Sequence, residues 1–349
     1  MADQVVSPEI KKKLVISSFS SKIQQLIIFP TEQCNFRCVY CYEDFSIGKM
    51  EQDVVSGIKA LLARRASDLR VLQLSFFGGE PLLAADVVEE LCRTAHSLAE
   101  AHQDFQYSAS ATTNGALLTR ARFERFHELG LRSYQISLDG HGTVHDATRR
   151  RANGKGTFDQ IWTNLTSIRR SNCDGNIMLR IHLLPHNIPS VLKLLDRIDS
   201  ELDDPRFKLF FKPVGHWGGP NDAQFDVLKT SSPDFEAAMR AIRDRLRGMS
   251  NPVLETGSET ADLPEICYAS RANSLGIRAD GRIAKCTVAL NDPRNAIGRI
   301  LPDGRLEIDR EKLAPWMRGF DDFDLATLGC PLAGLPALAG AQRRAEAAE

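Results

Sequence analysis

Apolar and polar positions along most of the chain follow one repeating order: a short apolar run, a turn, then a segment with helical spacing. In the first unit the apolar run 26–29 precedes the segment 53–65, where Val54, Ile58 and Leu62 fall on one face of a helix. Six such units follow one another. The predicted strands are 26–29, 71–77, 105–111, 133–138, 177–184 and 207–214. The predicted helices are 53–65, 86–101, 119–130, 158–170, 188–202 and 233–247.

This alternation predicts a parallel sheet, because each return to a parallel strand needs a crossover, and helices supply it. Crossovers are almost always right-handed, so the units wind in one direction. Six units are too few to close an eight-unit barrel. We therefore predict an α/β fold, an open (β/α)6 partial TIM barrel, with its chemistry at the carboxyl ends of the strands.

From about Cys267 the pattern changes to short extended runs separated by glycine turns. A two-residue turn at Asp280-Gly281 would place Ala279 opposite Arg282. The predicted hairpins are 273–278 with 282–288, and 297–301 with 305–308. The predicted organisation is an N-terminal leader 1–22, a barrel 23–225, a connecting helix and linker 226–265, a small β-hairpin-rich domain 266–331 and a tail 332–349.

Composition narrows the class of protein. Hydrophobic residues at 43% and charged residues at 26% are ordinary for a globular chain. The net charge of −1 argues against a nucleic-acid partner, and no apolar stretch reaches the ~18 residues of a membrane span. No secretory signal is evident. Eight cysteines therefore predict metal sites in a reducing cytoplasm, rather than disulfides.

Three cysteines follow the first predicted strand at close spacing: Cys34, Cys38 and Cys41. Thiolates are the usual ligands of a cubane iron–sulfur cluster. Three of them would hold three irons and leave the fourth iron open to an outside ligand. The alternative is a three-cysteine zinc site with its fourth ligand elsewhere.

The Cys-x3-Cys-x2-Cys spacing, with Tyr40 just before the last cysteine, resembles the signature of the radical S-adenosylmethionine (radical SAM) enzymes. The resemblance implies a [4Fe–4S] cluster whose open iron chelates the amino and carboxylate groups of S-adenosylmethionine. It also implies reductive cleavage of this cofactor to a 5′-deoxyadenosyl radical, which abstracts hydrogen from a substrate. The open six-unit barrel is the architecture of that family.

Three further stretches follow predicted strands. The resemblance to the family implies that the Gly-Gly-Glu stretch holds the amino group of S-adenosylmethionine, and Ser-x-Asp-Gly resembles a motif of the peptide-maturing and sulfatase-maturing branch that contacts the ribose or carboxylate. Thr-Asn is expected to line the adenosine, with a simple turn as the alternative. The arginines 149–151 are candidates for holding a carboxylate or phosphate, with a solvated loop as the alternative. The implied cofactor-binding residues are Gly78, Gly79, Glu80, Thr113, Asn114, Ser137, Asp139 and Arg149.

A second cysteine set lies in the C-terminal part. Cys267, Gly281 and Cys286 match the Cys-x13-Gly-x4-Cys opening of SPASM and twitch extensions, and Cys330 follows. With Asp280-Gly281 as the turn, Cys286 would lie opposite Leu275. Three cysteines are fewer than a full SPASM domain carries, which favours a twitch-like domain with one auxiliary iron–sulfur cluster, expected to be [4Fe–4S]. The fourth ligand is open, and structural zinc is the alternative.

The motifs favour an enzyme that matures a ribosomally made peptide by crosslinking or oxidation. A second hypothesis is radical modification of a small molecule: a sugar, nucleoside or amino acid. A third is a non-enzymatic iron–sulfur or zinc protein. For the first two, an electron donor such as flavodoxin or ferredoxin is expected. The sequence identifies no catalytic residue beyond these ligands.

Overall fold

The computed structural model describes residues 6–254, 264 and 266–337. The strands in chain order are β1 Ile23–Ile28, β2 Phe36–Cys38, β3 Val71–Phe76, β4 Gln106–Thr113, β5 Leu131–Leu138, β6 Arg149–Arg151, β7 Asn176–Leu183, β8 Phe207–Pro213, β9 Val253–Leu254, β10 Ser274–Ile277, β11 Arg282–Ala284, β12 Ala296–Ile300 and β13 Leu306–Ile308. The helices are α1 Pro8–Phe19, α2 Gln52–Arg65, α3 Ala85–Ala101, α4 Arg120–Glu128, α5 Thr143–Thr148, α6 Phe158–Arg169, α7 Ile188–Glu201, α8 Pro233–Leu246, α9 Arg310–Leu313, α10 Gly319–Asp322 and α11 Leu325–Gly329.

The six predicted strand–helix units are all present, as β1, β3, β4, β5, β7 and β8 with their following helices. Each of these strands pairs in parallel with the next, and β9 adds two residues beyond β8. The helices pack their apolar faces on the sheet; Val55, Ile58 and Leu62 of α2, for example, are completely buried or nearly so. The predicted open (β/α)6 barrel is therefore confirmed.

The C-terminal hairpins continue the barrel sheet. β10 pairs in parallel with β1, on the side opposite β3. Antiparallel pairing then adds β11, β12 and β13, so that one sheet of eleven strands runs β13-β12-β11-β10-β1-β3-β4-β5-β7-β8-β9. The predicted hairpins exist, but they share backbone hydrogen bonds with the barrel, which the sequence did not indicate.

The first hairpin has a longer turn than predicted. Gly276 lies opposite Ala284 and Ile277 opposite Ile283, so three residues, 279–281, form the loop. The predicted pairing of Ala279 with Arg282, and of Cys286 with Leu275, was therefore wrong by one position. Gly281 has a φ of +82°, the conformation that closes a three-residue hairpin loop.

The N-terminal segment is more ordered than a polar leader. Residues 8–19 form α1, capped by the Ser7 side chain. Leu14 is buried and packs with Ile266 and Leu328, so this helix covers the C-terminal part of the chain. At the other end, the predicted tail begins with packed residues, because Leu335 is buried; positions 338–349 of that tail lie outside the described residues.

Candidate active site

A cleft opens at the carboxyl ends of the barrel strands, and it encloses about 940 Å³ when the adjoining open solvent is included. Motifs at the ends of four barrel strands, β1, β3, β4 and β5, meet there. The predicted site residues that line it are Cys34, Cys38, Cys41, Gly78, Gly79, Thr113, Asn114, Ser137 and Arg149.

The three cysteines of the first set are partly exposed and face this cleft. Their loop is held by β2, which pairs with β6 so that Cys38 lies opposite Arg149. The Phe36 amide donates a hydrogen bond to Cys34 Sγ over 3.3 Å. Burial raises the pKa values of Cys34 and Cys41 to about 12. Thiolates at these positions therefore require a bound metal to stabilise them.

The glycines of the Gly-Gly-Glu stretch allow the loop after β3 to lie directly on the chain that leads into the cysteines. Gly78 has a φ of +114°, and a Cβ there would be 2.4 Å from the Thr31 carbonyl oxygen. A Cβ on Gly79 would be 2.5 Å from the Gln33 carbonyl oxygen. No side chain fits at either position, because real Cβ atoms do not approach this closely.

Glu80 does not face the cleft, contrary to the expected contact between its carboxylate and the cofactor. It is completely buried, and its oxygens accept hydrogen bonds from Thr113 Oγ1 (2.7 Å), the Asn114 amide (2.7 Å) and the Leu82 amide (3.0 Å). The carboxylate thus joins the loops after β3 and β4. Its physical effect is to position Thr113 and Asn114, which do line the cleft.

Asn114 extends this connection to the cysteine loop. Its Nδ2 donates to Asn35 Oδ1 over 2.7 Å, one residue from Cys34. Its Oδ1 accepts from the Ala116 amide, which fixes the turn after β4. The backbone around Cys34 is therefore tied to two neighbouring strand ends.

Asp139 is also completely buried and is not among the residues that line the cleft. It accepts hydrogen bonds from Tyr40 Oη (2.8 Å), Thr148 Oγ1 (2.6 Å) and His182 Nδ1 (3.0 Å). Burial opposes ionisation, yet the hydrogen bond from His182 and the charge of Arg149 hold the pKa of Asp139 well below its usual range. The carboxylate therefore anchors the Tyr40 ring at the cleft wall.

Two arginines bring positive charge to the cleft. Arg149 Nη1 donates to Tyr40 Oη over 2.9 Å. Arg180, on β7, lines the same cleft and lies beside Ser137 of β5. Sequence reasoning missed Arg180, although a charged residue in the otherwise apolar run 177–184 was a usable signal.

Comparison with known proteins identifies the domain that forms this site. The profile of the Radical SAM superfamily matches residues 28–198, which include the cysteine loop, the Gly-Gly-Glu stretch and both arginines. Residues 28–198 form a radical SAM domain. Domains of this superfamily use a [4Fe–4S] cluster and S-adenosylmethionine, and three thiols at the edge of a cleft, beside the guanidinium of Arg149, fit that pair.

Three relatives illustrate the range of similarity. The PqqA peptide cyclase of Ruegeria pomeroyi is 27% identical over 280 residues, 79% of this chain and 70% of the relative. A probable GTP 3′,8-cyclase of Methanocella arvoryzae is 32% identical over 151 residues, 42% of this chain and 44% of that protein. The structure of anSMEcpe with bound AdoMet and Cp18Cys peptide has a TM-score of 0.63 at 20% identity, covering 83% of this chain and 79% of that one, which shows a shared fold.

The second cysteine set lies outside the matched radical SAM domain. The Cys267 amide donates to the Leu328 carbonyl over 2.8 Å, which brings it to the helix that precedes Cys330. Burial raises the pKa of Cys267, and Cys286 and Cys330 are close enough to raise it further. The three predicted auxiliary ligands are thus gathered in one region. Among the described residues, no three His, Cys, Asp or Glu side chains are spaced for a single metal ion.

Tyr42 neighbours cysteines of both sets. It lines the cleft, and burial raises its pKa well above the usual value, with further contributions from Glu43, Tyr268, Cys41 and Cys286. One aromatic side chain therefore neighbours a cysteine of each set. Over the residues that the structure describes, no helix is long and apolar enough to cross a membrane.

Proposed function

We propose that this chain is a radical SAM enzyme that matures a ribosomally made peptide by crosslinking or oxidation. The observation that carries the proposal is the extent of its likeness to a peptide cyclase, which covers 79% of the chain and so includes sequence beyond the radical SAM domain. The fold shared with anSMEcpe, whose structure contains a peptide, supports the same class of substrate.

Within this proposal, a [4Fe–4S] cluster and S-adenosylmethionine would, when bound, supply the radical chemistry by which hydrogen is abstracted from the peptide. Cys34, Cys38 and Cys41 would hold the cluster. Tyr40 lines the cleft, and Asp139 keeps its ring fixed through the hydrogen bond described above. The cleft walls exclude bulk water from the radical, which is the protein's main contribution to such chemistry.

The remaining predicted cofactor contacts divide into two kinds. Gly78 and Gly79 offer backbone groups, Ser137 a hydroxyl and Arg149 a guanidinium, and all face the cleft. Glu80 acts through Thr113 and Asn114. Substitution of Glu80 should therefore change the geometry of the loops after β3 and β4, rather than remove a charge that contacts the cofactor.

The second cysteine set is the proposed holder of one auxiliary iron–sulfur cluster. Cys267, Cys286 and Cys330 supply three ligands, and Tyr42 neighbours Cys286 as well as Cys41. A cluster there would serve electron transfer if its fourth iron is protein-bound, and substrate binding if that iron is open. Flavodoxin or ferredoxin is the proposed external electron donor. The proposed location is a reducing cytoplasm, in keeping with eight free thiols.

The second candidate function is radical modification of a small molecule. The observation favouring it is the 32% identity to a probable GTP 3′,8-cyclase. That likeness spans only 151 residues, which lowers its weight beside the longer match to the peptide cyclase. A non-enzymatic role would leave the cleft and its two arginines without a use.

Iron content and cofactor cleavage test the proposal first. The protein is reconstituted anaerobically, and iron and 5′-deoxyadenosine are measured after addition of dithionite and S-adenosylmethionine. We expect about eight irons per chain, and about four with no cleavage in the Cys34→Ala/Cys38→Ala/Cys41→Ala variant. Cys173→Ala, a loop cysteine outside both sets, serves as the matched control and should match wild type. Fully loaded wild type without any cleavage would contradict the enzyme assignment.

Deuterium transfer separates the two substrate classes. Deuterated candidate peptides, nucleotides, sugars and amino acids are each offered to the reduced enzyme, and 5′-deoxyadenosine is analysed by mass spectrometry. Incorporation from a peptide is the expected result. Incorporation from small metabolites alone would overturn the peptide assignment while leaving the radical enzyme intact.

A further inference from the structure

Arg180 carries a positive charge into the cleft without a counter-charge. Among the residues that the structure describes, no carboxylate lies within ion-pair distance of it, and its buried Nε has no hydrogen-bond partner. Removing a charged group from water is costly unless a partner compensates. An unpaired, half-buried guanidinium lining a ligand cleft is therefore better explained by a ligand than by folding.

The nearby carboxylates are already engaged or face elsewhere. Asp139 accepts three side-chain hydrogen bonds, and Glu80 accepts three from the loops after β3 and β4. Glu43 also lines the cleft, but it forms no ion pair with Arg180. Among the described residues, no carboxylate is therefore placed to neutralise Arg180.

The cofactor does not need both arginines. S-adenosylmethionine carries one carboxylate, which the open iron chelates, and Arg149 lies beside the cysteine loop through the pairing of β6 with β2. Arg180 projects from β7, on the opposite side of Ser137 from β4. The second guanidinium is thus available to a different anion.

We propose that Arg180 binds a carboxylate of the peptide substrate, either an Asp or Glu side chain or the C-terminal carboxylate. This inference rests on the proposed peptide function and narrows it to peptides that carry an anionic group near the reacting residue. A planar guanidinium suits this task because it can form two parallel hydrogen bonds to one carboxylate. Arg180 would orient the peptide, so it is a specificity-determining residue.

Equilibrium binding of small probes tests this without turnover. Reconstituted enzyme with S-adenosylmethionine is titrated, by calorimetry, with N-acetylglutamate N-methylamide, which offers a side-chain carboxylate. N-acetylalanine offers an α-carboxylate, and N-acetylglutamine N-methylamide is the neutral comparison. The variants are Arg180→Gln, Arg180→Lys and Arg132→Gln. Arg132 is an exposed arginine on the neighbouring strand β5 that pairs with Asp174, and it provides the matched control.

We expect wild type and Arg132→Gln to bind at least one carboxylate probe about 10- to 100-fold more tightly than the neutral probe. Which of the two probes is preferred identifies the source of the carboxylate. Arg180→Gln should abolish the preference, and Arg180→Lys should keep part of it. The affinity for S-adenosylmethionine and the rate of 5′-deoxyadenosine release without substrate should stay within about twofold of wild type.

Two results would overturn the inference. One is a wild type that binds all three probes equally. The other is an Arg180→Gln variant that loses S-adenosylmethionine affinity while keeping the probe preference, which would assign Arg180 to the cofactor. Circular dichroism melting establishes that each variant is folded, and Arg180→Lys provides a second readout should the glutamine variant unfold. Failure of the proposed function looks different, because it abolishes cofactor cleavage in wild type whatever the probes do.

Discussion

Substitution of the buried ion pair between Glu32 and Arg278 tests how the C-terminal hairpins are attached to the barrel. Glu32 follows β1, just before the cysteine loop, and Arg278 directly follows β10. Arg278 Nε donates to Glu32 Oε1 over 3.0 Å, Nη2 donates to Oε2, and Nη1 donates to the Leu290 carbonyl over 2.7 Å. The side chain of Glu32 is only 1% exposed, and that of Arg278 is 4% exposed.

Removing one partner leaves the other buried and uncompensated. For such a pair the expected loss in free energy of unfolding is about 3–5 kcal/mol. We therefore expect Glu32→Gln to lose about 3 kcal/mol, because the amide still accepts one hydrogen bond, and Arg278→Met to lose somewhat more. The double variant Glu32→Met/Arg278→Met should be less destabilised than either single variant, since apolar side chains of similar size carry no desolvation penalty.

Urea unfolding of the iron-free protein under reducing conditions, followed by circular dichroism, measures these differences through the midpoint and slope. The control is Asp86→Asn, which removes the exposed pair Lys49–Asp86, with side chains 52% and 67% exposed. An exposed pair contributes less than about 1 kcal/mol. A Glu32→Gln variant within about 1 kcal/mol of wild type, or a double variant as unstable as the sum of the singles, would refute the reasoning.

Three further predictions follow from the site. Gly78→Ala should lose at least about 2 kcal/mol of stability and most of the iron of the first cluster, because its Cβ would be 2.4 Å from the Thr31 oxygen; urea unfolding and iron analysis check this. Burial lowers the pKa of His145 from 6.5 to about 4. As the pH falls from 6.5 to 4, His145 is therefore protonated in the unfolded state but not in the folded state, and the free energy of unfolding falls by about 3 kcal/mol in total. The His145→Gln variant should lose correspondingly less stability over the same pH range, as measured by urea unfolding. Glu80→Gln should weaken S-adenosylmethionine binding about tenfold while retaining iron, because an amide nitrogen facing the Asn114 amide removes one hydrogen-bond acceptor. Calorimetric titration of the iron-loaded variant and of iron-loaded wild type with S-adenosylmethionine tests this.

The barrel was predictable from the sequence because its signals are local. Each unit shows a short apolar run, a turn and a helical period within about forty residues, and such patterns follow from side-chain direction alone. Thr119, where the predicted helix 119–130 begins, caps α4 by accepting a hydrogen bond from the Arg122 amide. Strand ends also fix which loops meet, so the place of the cleft and nine of its lining residues could be predicted from the order of strands and loops.

The features that could not be predicted from the sequence depend on contacts between residues that are far apart in the chain. The pairing of β2 with β6 joins residues more than a hundred positions apart, and β10 reaches β1 over a still longer separation. Burial of Glu80 and Asp139 was invisible because their hydrogen-bond partners come from other strands. The helix α1 was missed because its apolar residues gain their partners only when the C-terminal part of the chain folds back over it.

The shared sheet has a consequence for how the two cysteine sets are spaced. β1 leads directly into the loop of Cys34, and its other edge carries β10, whose hairpin leads to Cys286. Four residue pairs and the ion pair between Glu32 and Arg278 connect these two strands. The separation of the two sets is therefore set by backbone register rather than by a flexible linker. If the second set holds the proposed auxiliary cluster, a separation fixed in this way suits electron transfer, because the rate of electron transfer depends on distance, and Tyr42 neighbours a cysteine of each set.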